Sequence, residues 1–194
     1  MIINQNIKDE KDEKGRLRKL ALSDRDSIPL SCREAAGEKI AATVLSHPAV
    51  EKARLIMCYK SFRSEVPTDK IIAELEALGK TLCYPVCGKL GAMQAYSPED
   101  GAWKRGKMGI TEPDVEKSRL IDPAEIDLVL CPMVAFDTDR QRMGYGAGYY
   151  DRYLPKCKNA LVIGIAFEAQ LREKIITDEF DRAMDIIITE EKVY

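Results

Sequence analysis

The run Arg142-Met143-Gly144-Tyr145-Gly146-Ala147-Gly148-Tyr149-Tyr150-Asp151-Arg152 sets cations, a carboxylate and aromatic rings around glycines at alternate positions. Gly144, Gly146 and Gly148 open backbone conformations closed to other residues and let a ligand approach the amides. Phosphate suits such a loop: Arg142 offers a cation ahead of it, bare N–H groups line it, and Asp151 behind it supplies a carboxylate for a metal ion. Tyr149 to Leu154 reads as a short helix whose N-terminal end adds attraction for anions. The spacing has neither the two-residue gap of a dinucleotide fingerprint nor the Lys-Ser/Thr ending of a P-loop. Glycine spacing alone fits a plain turn equally well; the flanking Arg142, Tyr149, Tyr150, Asp151 and Arg152, for which a plain turn has no use, favour a ligand site.

These residues need a frame. The apolar run Ile126 to Val134 reads as a central strand that delivers Ala135-Phe136-Asp137 and then the glycine loop. Further strands are expected over residues 53–59, 81–86, 92–97, 160–167 and 185–189. Leu17, Leu20 and Ala21 recur at helical spacing in a first ordered element starting near Lys14, which puts Lys14, Arg18 and Arg25 on a more polar side. A second helix runs from Ser31, capped by a Ser31/Glu34 box, to Ser46, with Ala36, Ile40 and Val44 in its buried stripe. A third runs from Thr68, its expected N-cap, to Leu78. From Pro98 to Leu120 the chain is rich in Gly, Pro and charge, and a long, partly irregular connection is expected; Trp103 and Met108 there fit ligand contact and ordinary packing equally well.

Strands alternating with helices point to a single three-layer α/β/α domain with a mostly parallel, Rossmann-like sheet over residues 14–194, after a polar extension at 1–13. In open sheets of this kind ligands lie at the strand ends. Glu65, Asp137, the glycine loop and the segment before the last strand are expected to meet there.

At 194 residues and 45% hydrophobic content the chain can bury a full core. A net charge of −2 gives no electrostatic case for nucleic acid, and no apolar run reaches membrane-spanning length. The six scattered cysteines fit a reducing, cytoplasmic setting, and the Cys83/Cys87 pair lacks zinc-site spacing. His47 is the single histidine and stands in a turn before Pro48, so histidine-based acid–base or metal chemistry has little to build on.

Ala135-Phe136-Asp137 followed by the run Arg142 to Leu154 resembles the signature of the 5-formyltetrahydrofolate cyclo-ligase family, also called methenyltetrahydrofolate synthetases. The likeness extends through Lys14-Gly15-Arg16-Leu17-Arg18, through Glu65 and Thr68, and through Phe180 to Glu190, in the family's order. Ala147 stands where glycine or lysine is usual, Met133 replaces a common glycine, and Phe180 stands where bacterial relatives commonly have histidine.

The resemblance implies ATP as co-substrate, held by Lys14, Arg18 and the loop from Arg142 through Met143, Gly144, Tyr145, Gly146, Ala147, Gly148, Tyr149 and Tyr150. It implies a reduced folate held by Lys60, Glu65, Tyr145, Ala147, Gly148 and Tyr149, with Arg142 and Tyr149 at the reacting groups and Mg2+ on Asp151 and Asp181. The implied reaction closes 5-formyltetrahydrofolate to 5,10-methenyltetrahydrofolate through a phosphorylated formyl group, in a monomer or weak homo-oligomer whose partners are small molecules. A non-catalytic folate or nucleotide binder of the same fold is the alternative, and a sugar-phosphate isomerase on a similar frame would leave Lys14 and Arg18 without a purpose.

Overall fold

The computed structural model describes residues 2–99, 101–106 and 109–194. The apolar runs become β1 (Leu55–Met57), β2 (Thr81–Cys87), β3 (Met93–Pro98), β6 (Ser118–Ile121), β7 (Leu128–Pro132), β10 (Leu161–Ile165) and β11 (Ile186–Ile188), joined in one sheet of order β11-β10-β7-β1-β2-β3-β6. Pairing is parallel from β11 across to β2, and antiparallel for β2 with β3 and β3 with β6. The sheet is therefore mostly parallel, as expected. Strands covered on both faces need no polar alternation, which is why β1 and β7 read as continuous apolar runs.

One face carries Ile56, Leu128, Leu130, Ile163 and Ile165 against Ile40 and Val44 of α2 (Leu30–Leu45) and Ile71 and Leu75 of α4 (Asp69–Ala77). The other carries Leu55, Met57, Val129, Cys131 and Val162 against Tyr153 of α5 (Tyr149–Tyr153) and Leu154 and Cys157 beyond it. This second outer layer is thin, since α5 has 5 residues before a single 3-10 turn. The short helix α3 (Pro48–Lys52) begins at His47, whose Nδ1 accepts from the Ala49 amide at 3.2 Å, so the lone histidine is a helix cap.

The helix α1 spans Ile2–Ser27, so the helical spacing that starts near Lys14 belongs to a longer element, and Gly15 lies inside it. Its orientation also differs from expectation. Leu20 is 56% exposed, while Leu17, Ala21 and Leu22 pack on Val134, Ala135, Met143 and Ile175. Lys14, Arg18 and Arg25 share the face of Ala21, at helical spacings of three, four and seven, and so face the protein.

Three local readings are corrected. Helix α2 starts at Leu30 with Pro29 at the cap position, and no side chain caps it, so Ser31 lies two residues too late for the expected box. Thr68 does precede α4, but its hydroxyl donates to the Tyr59 carbonyl at 2.7 Å and accepts from the Ser61 amide at 3.2 Å, tying down the Tyr59 to Ser61 loop instead of capping. The stretch from Pro98 to Leu120 is more regular than its composition suggests: β4 (Trp103–Arg105) pairs antiparallel with β5 (Thr111–Pro113), and β6 joins the main sheet. Trp103 packs edge-on to Tyr84, ring centroids 4.8 Å apart, while Met108 lies outside the described residues.

Candidate active site

The chain leaves β7 into a small hairpin, β8 (Ala135–Phe136) paired with β9 (Arg142–Met143), that launches the glycine loop. Asp137 builds its turn. One carboxylate oxygen accepts from the Asp139 and Gln141 amides at 3.0 and 2.9 Å, and the other from the Ile175 amide at 2.9 Å. With both oxygens committed to backbone, Asp137 shapes the site from outside it.

Two positions in the loop demand glycine. Gly146 has φ 97° and Gly148 φ 65°, conformations costly for residues with a Cβ. Space is also lacking: a Cβ on Gly146 would stand 3.2 Å from the Arg18 guanidinium carbon, and one on Gly148 2.8 Å from an Arg152 nitrogen. Arg152 in turn braces the loop, donating to the Ala147 carbonyl and, at 3.2 Å, to the Gly91 carbonyl beside β3.

Helix α1 lays its cations along this loop and the C-terminal segment. Arg18 donates from Nε to the Gly144 carbonyl at 2.9 Å. Lys14 Nζ reaches Asp178 at 3.1 Å and Asp181 at 3.2 Å. Burial draws the Lys14 ammonium down, but its hydrogen bonds to Asp178 and Asp181 and their charges more than offset this, and its pKa lies above the ordinary lysine value. Asp178 is held below the usual carboxylate range by the Phe180 amide and then by Lys14. Asp178 is a neighbour that sequence reasoning missed; the signal was a second carboxylate three residues before Asp181, whose own carboxylate accepts from the Asp178 amide at 2.8 Å.

Arg142 is nearly buried and pairs with Asp151 under the loop, its guanidinium carbon 5.7 Å from the Tyr150 ring centre. Burial raises the Asp151 carboxyl, Arg142 lowers it, and the charges of Asp181 and Asp178 raise it again. The two acids expected to hold a metal therefore sit close enough to repel one another. Among the described residues no group of three or more His, Cys, Asp or Glu side chains is disposed to hold a metal. Mg2+ commonly takes one or two carboxylates and fills its remaining positions with water and substrate phosphates, so the oxygen donors of Asp151 and Asp181 suit it.

Tyr149 and Tyr150 open α5 but face differently. The Tyr149 hydroxyl donates to the Gly88 carbonyl at 3.2 Å, whereas the Tyr150 hydroxyl is buried with no hydrogen-bond partner, as is Arg142 Nε. Met143 is buried in β9 and belongs to the floor of the loop.

Glu65 comes to the loop from the other side. It is 8% exposed, accepts from the Phe62 amide at 2.9 Å through one oxygen and from the Tyr145 hydroxyl at 3.2 Å through the other. Burial pushes its carboxyl up, partly offset by the Phe62 amide, Arg25 and Tyr145. Arg25, expected on a polar face, is 1% exposed and donates to Ser64 Oγ at 3.0 Å, the Met133 carbonyl at 3.3 Å and the Tyr145 hydroxyl at 2.8 Å. Its spacing of four from Ala21 was the available signal.

Lys60 stands apart from Glu65. It pairs with Asp69 at 3.6 Å, lies 5.4 Å from the centre of the Trp103 ring, and lines a cavity of ≈ 320 Å³ with Ser61, Phe62, Arg63 and Ile110. The structure thus gathers Lys14, Arg18, Arg142, Asp151 and Asp181 around the glycine loop and the C-terminal segment, and joins Glu65 to the loop through Tyr145, while Lys60 belongs to an adjoining hollow.

The chain and its fold have known relatives. A model of the 5-formyltetrahydrofolate cyclo-ligase family matches residues 10–190. A 5-formyltetrahydrofolate cyclo-ligase of Escherichia coli (strain K12) is 29% identical over 164 residues, 81% of this chain and 90% of that protein. The solved structure of a 5,10-methenyltetrahydrofolate synthetase from Aquifex aeolicus superposes with a TM-score of 0.82 at 30% identity, covering 93% of this chain and 91% of that one. A Mycoplasma pneumoniae synthetase structure gives 0.76 at 25% identity over 91% of this chain and 98% of that one. The glycine loop between β9 and α5, the cations of α1 laid against it and a family match spanning nearly every element identify the lineage: the chain belongs to the 5-formyltetrahydrofolate cyclo-ligase family.

Proposed function

We propose that this chain closes 5-formyltetrahydrofolate to 5,10-methenyltetrahydrofolate at the expense of ATP and with Mg2+, and that residues 14–194 act as one catalytic unit. The observation that carries the reading is the placement of α1: Arg18 lies 2.9 Å from the Gly144 carbonyl and Lys14 3.2 Å from Asp181, so two basic side chains border the same loop as the candidate metal carboxylates. A protein that bound folate alone would have no use for that convergence of cations and acids.

A formamide oxygen is a poor leaving group. In the proposed reaction it attacks the terminal phosphorus of ATP, the bond from that phosphorus to the bridging oxygen breaks, and ADP departs. The formyl carbon, now an imino-phosphate attached to N5, is attacked by N10; phosphate leaves with the former formyl oxygen, and N10 gives up its proton. Such a transfer asks the protein mainly for positioning and charge neutralisation. Lys14 and Arg18 supply positive charge beside the loop, the loop amides donate to phosphate oxygens, and Arg142 holds Asp151 in place. Asp151 and Asp181 would hold Mg2+, which would neutralise phosphate charge when bound. Glu65 receives N–H donors of the folate ring system, and Tyr145, Ala147, Gly148 and Tyr149 lie where folate and ATP meet.

The test is the ultraviolet absorbance of purified protein mixed with 5-formyltetrahydrofolate and Mg2+, with and without ATP. The reading requires a rise from methenyl product that depends on ATP. Folate binding without any rise would make this chain a binder.

A further inference from the structure

Arg25 carries one of the most deeply buried charges among the described residues. It is 1% exposed, and among the described residues no carboxylate pairs with it directly. Burying a guanidinium without a paired acid is expensive, and helix packing alone would be served better by an apolar side chain. What the cation does touch is informative. The Met133 carbonyl that it shares with Gln170 and the Ser64 hydroxyl, which in turn donates to the Asp26 carboxylate, fix its two flanks, and its third contact is the Tyr145 hydroxyl.

We infer that Arg25 is a positioning residue for the folate: by donating to the Tyr145 oxygen it turns the tyrosine proton toward Glu65, orienting that carboxylate to receive the N–H donors of the pterin ring. The inference deepens the proposed function and rests on its assignment of Glu65 to folate.

The geometry sets the direction of the relay. A tyrosine hydroxyl has one proton. Arg25 Nη2 donates into its oxygen at 2.8 Å, which leaves the proton for Glu65 Oε1 at 3.2 Å, while Glu65 Oε2 takes the Phe62 amide at 2.9 Å. Each carboxylate oxygen keeps acceptor capacity, and a ring presenting two adjacent N–H donors fits a carboxylate in the bidentate manner. The pocket would otherwise favour the acid form. Tyr59, Tyr145, Tyr150 and Cys131 bear on Glu65 electrostatically, and burial raises the pKa of each, so they stay neutral near neutral pH. Among the described residues Arg25 is the one cation whose charge opposes the upward push of burial on Glu65. The sign follows: removing Arg25 lifts the Glu65 pKa further, so Glu65 loses its ionised form at a higher pH than before.

The test measures methenyl formation for Arg25→Met, Arg25→Lys and Tyr145→Phe across folate concentration, ATP concentration and pH. Arg25→Met is expected to raise KM for 5-formyltetrahydrofolate by about tenfold or more with KM for ATP unchanged, and to move the acid limb of kcat/KM for the folate to higher pH. Arg25→Lys is expected to return the acid limb toward wild type, because the charge is restored, while leaving folate KM raised. Tyr145→Phe, at a half-exposed ring, is expected to raise folate KM without disturbing the fold. A merely structural role for Arg25 would lower stability and leave the acid limb where it is. A folded Arg25→Met protein with wild-type folate KM and acid limb overturns the inference; if that variant does not fold, Tyr145→Phe with wild-type folate KM overturns it. Absence of product from wild-type protein would instead refute the proposed function, and folate binding by wild type and Tyr145→Phe, followed by fluorescence quenching, would then decide the relay.

Discussion

Arg142 pairs with Asp151 across the glycine loop that the two residues bracket, and the arginine side chain is only 3% exposed against 19% for the aspartate. The loop is thus cross-tied beneath its own backbone, and the arginine's first task is to hold the acid behind it. Arg18, from α1, is the cation that lies over the loop instead.

This pair has a pH signature. Burial raises the Asp151 carboxyl above its ordinary value and Arg142 opposes the rise. A raised acid is protonated in the folded state over a window where the unfolded chain has already ionised, so stability falls as pH climbs through that window. Arg142→Met removes the opposing charge and widens the window. Breaking a buried pair costs about 3–5 kcal/mol, and because Asp151 keeps some solvent contact the lower end is expected. Denaturant unfolding should show a larger loss at about pH 8 than at about pH 5, both being compared with wild type. An equal loss at both would separate Arg142 from the ionisation of Asp151.

The two candidate metal acids make a second prediction. Asp151→Asn and Asp181→Asn should each raise the Mg2+ concentration needed for half-maximal turnover by about tenfold or more, with folate affinity little changed. Titrating Mg2+ at saturating folate and ATP, alongside folate binding, checks this. Parallel losses in both measurements would mean that these acids hold the loop and not the metal.

The glycines predict a third. Alanine at Gly148 would force a Cβ into a left-handed conformation and toward Arg152, costing about 1–2 kcal/mol. Alanine at Gly146 would press on Arg18 as well, and KM for ATP should rise with a smaller change for folate. Thermal unfolding and steady-state kinetics on the two variants separate strain from binding.

Gly15 gives the opposite sign. It lies within α1, and a Cβ there meets nothing within 4 Å. Gly15→Ala should stabilise the protein by about 0.5–1 kcal/mol, measured by the denaturant midpoint. A loss of stability would show that the helix does not pass through this position.

Much of the frame was legible because the parallel strands are apolar throughout: the expected strand over residues 126–134 contains β7, and that over 160–167 contains β10. The helix faces were harder. Leu20 is as apolar as Leu17, yet it points to solvent, while the charged Arg25 is buried. Side-chain type misleads when a cation is part of the packed face, and spacing from Ala21 is then the better guide. The loop motif announced a ligand site, but the Arg25–Tyr145–Glu65 chain joins residues 80 and 120 positions apart through bonds that no local pattern encodes. Thr68 shows the same limit on a small scale, since its cap position was readable and the partner of its hydroxyl was not.

The most direct test of the central claim follows the formyl oxygen. The protein would be given ATP, Mg2+ and 5-formyltetrahydrofolate whose formyl oxygen carries the heavy isotope, and the released phosphate would be analysed by mass spectrometry. Attack of that oxygen on the terminal phosphate requires one labelled oxygen in each phosphate released, in step with methenyl product. Methenyl product formed alongside unlabelled phosphate would contradict the account.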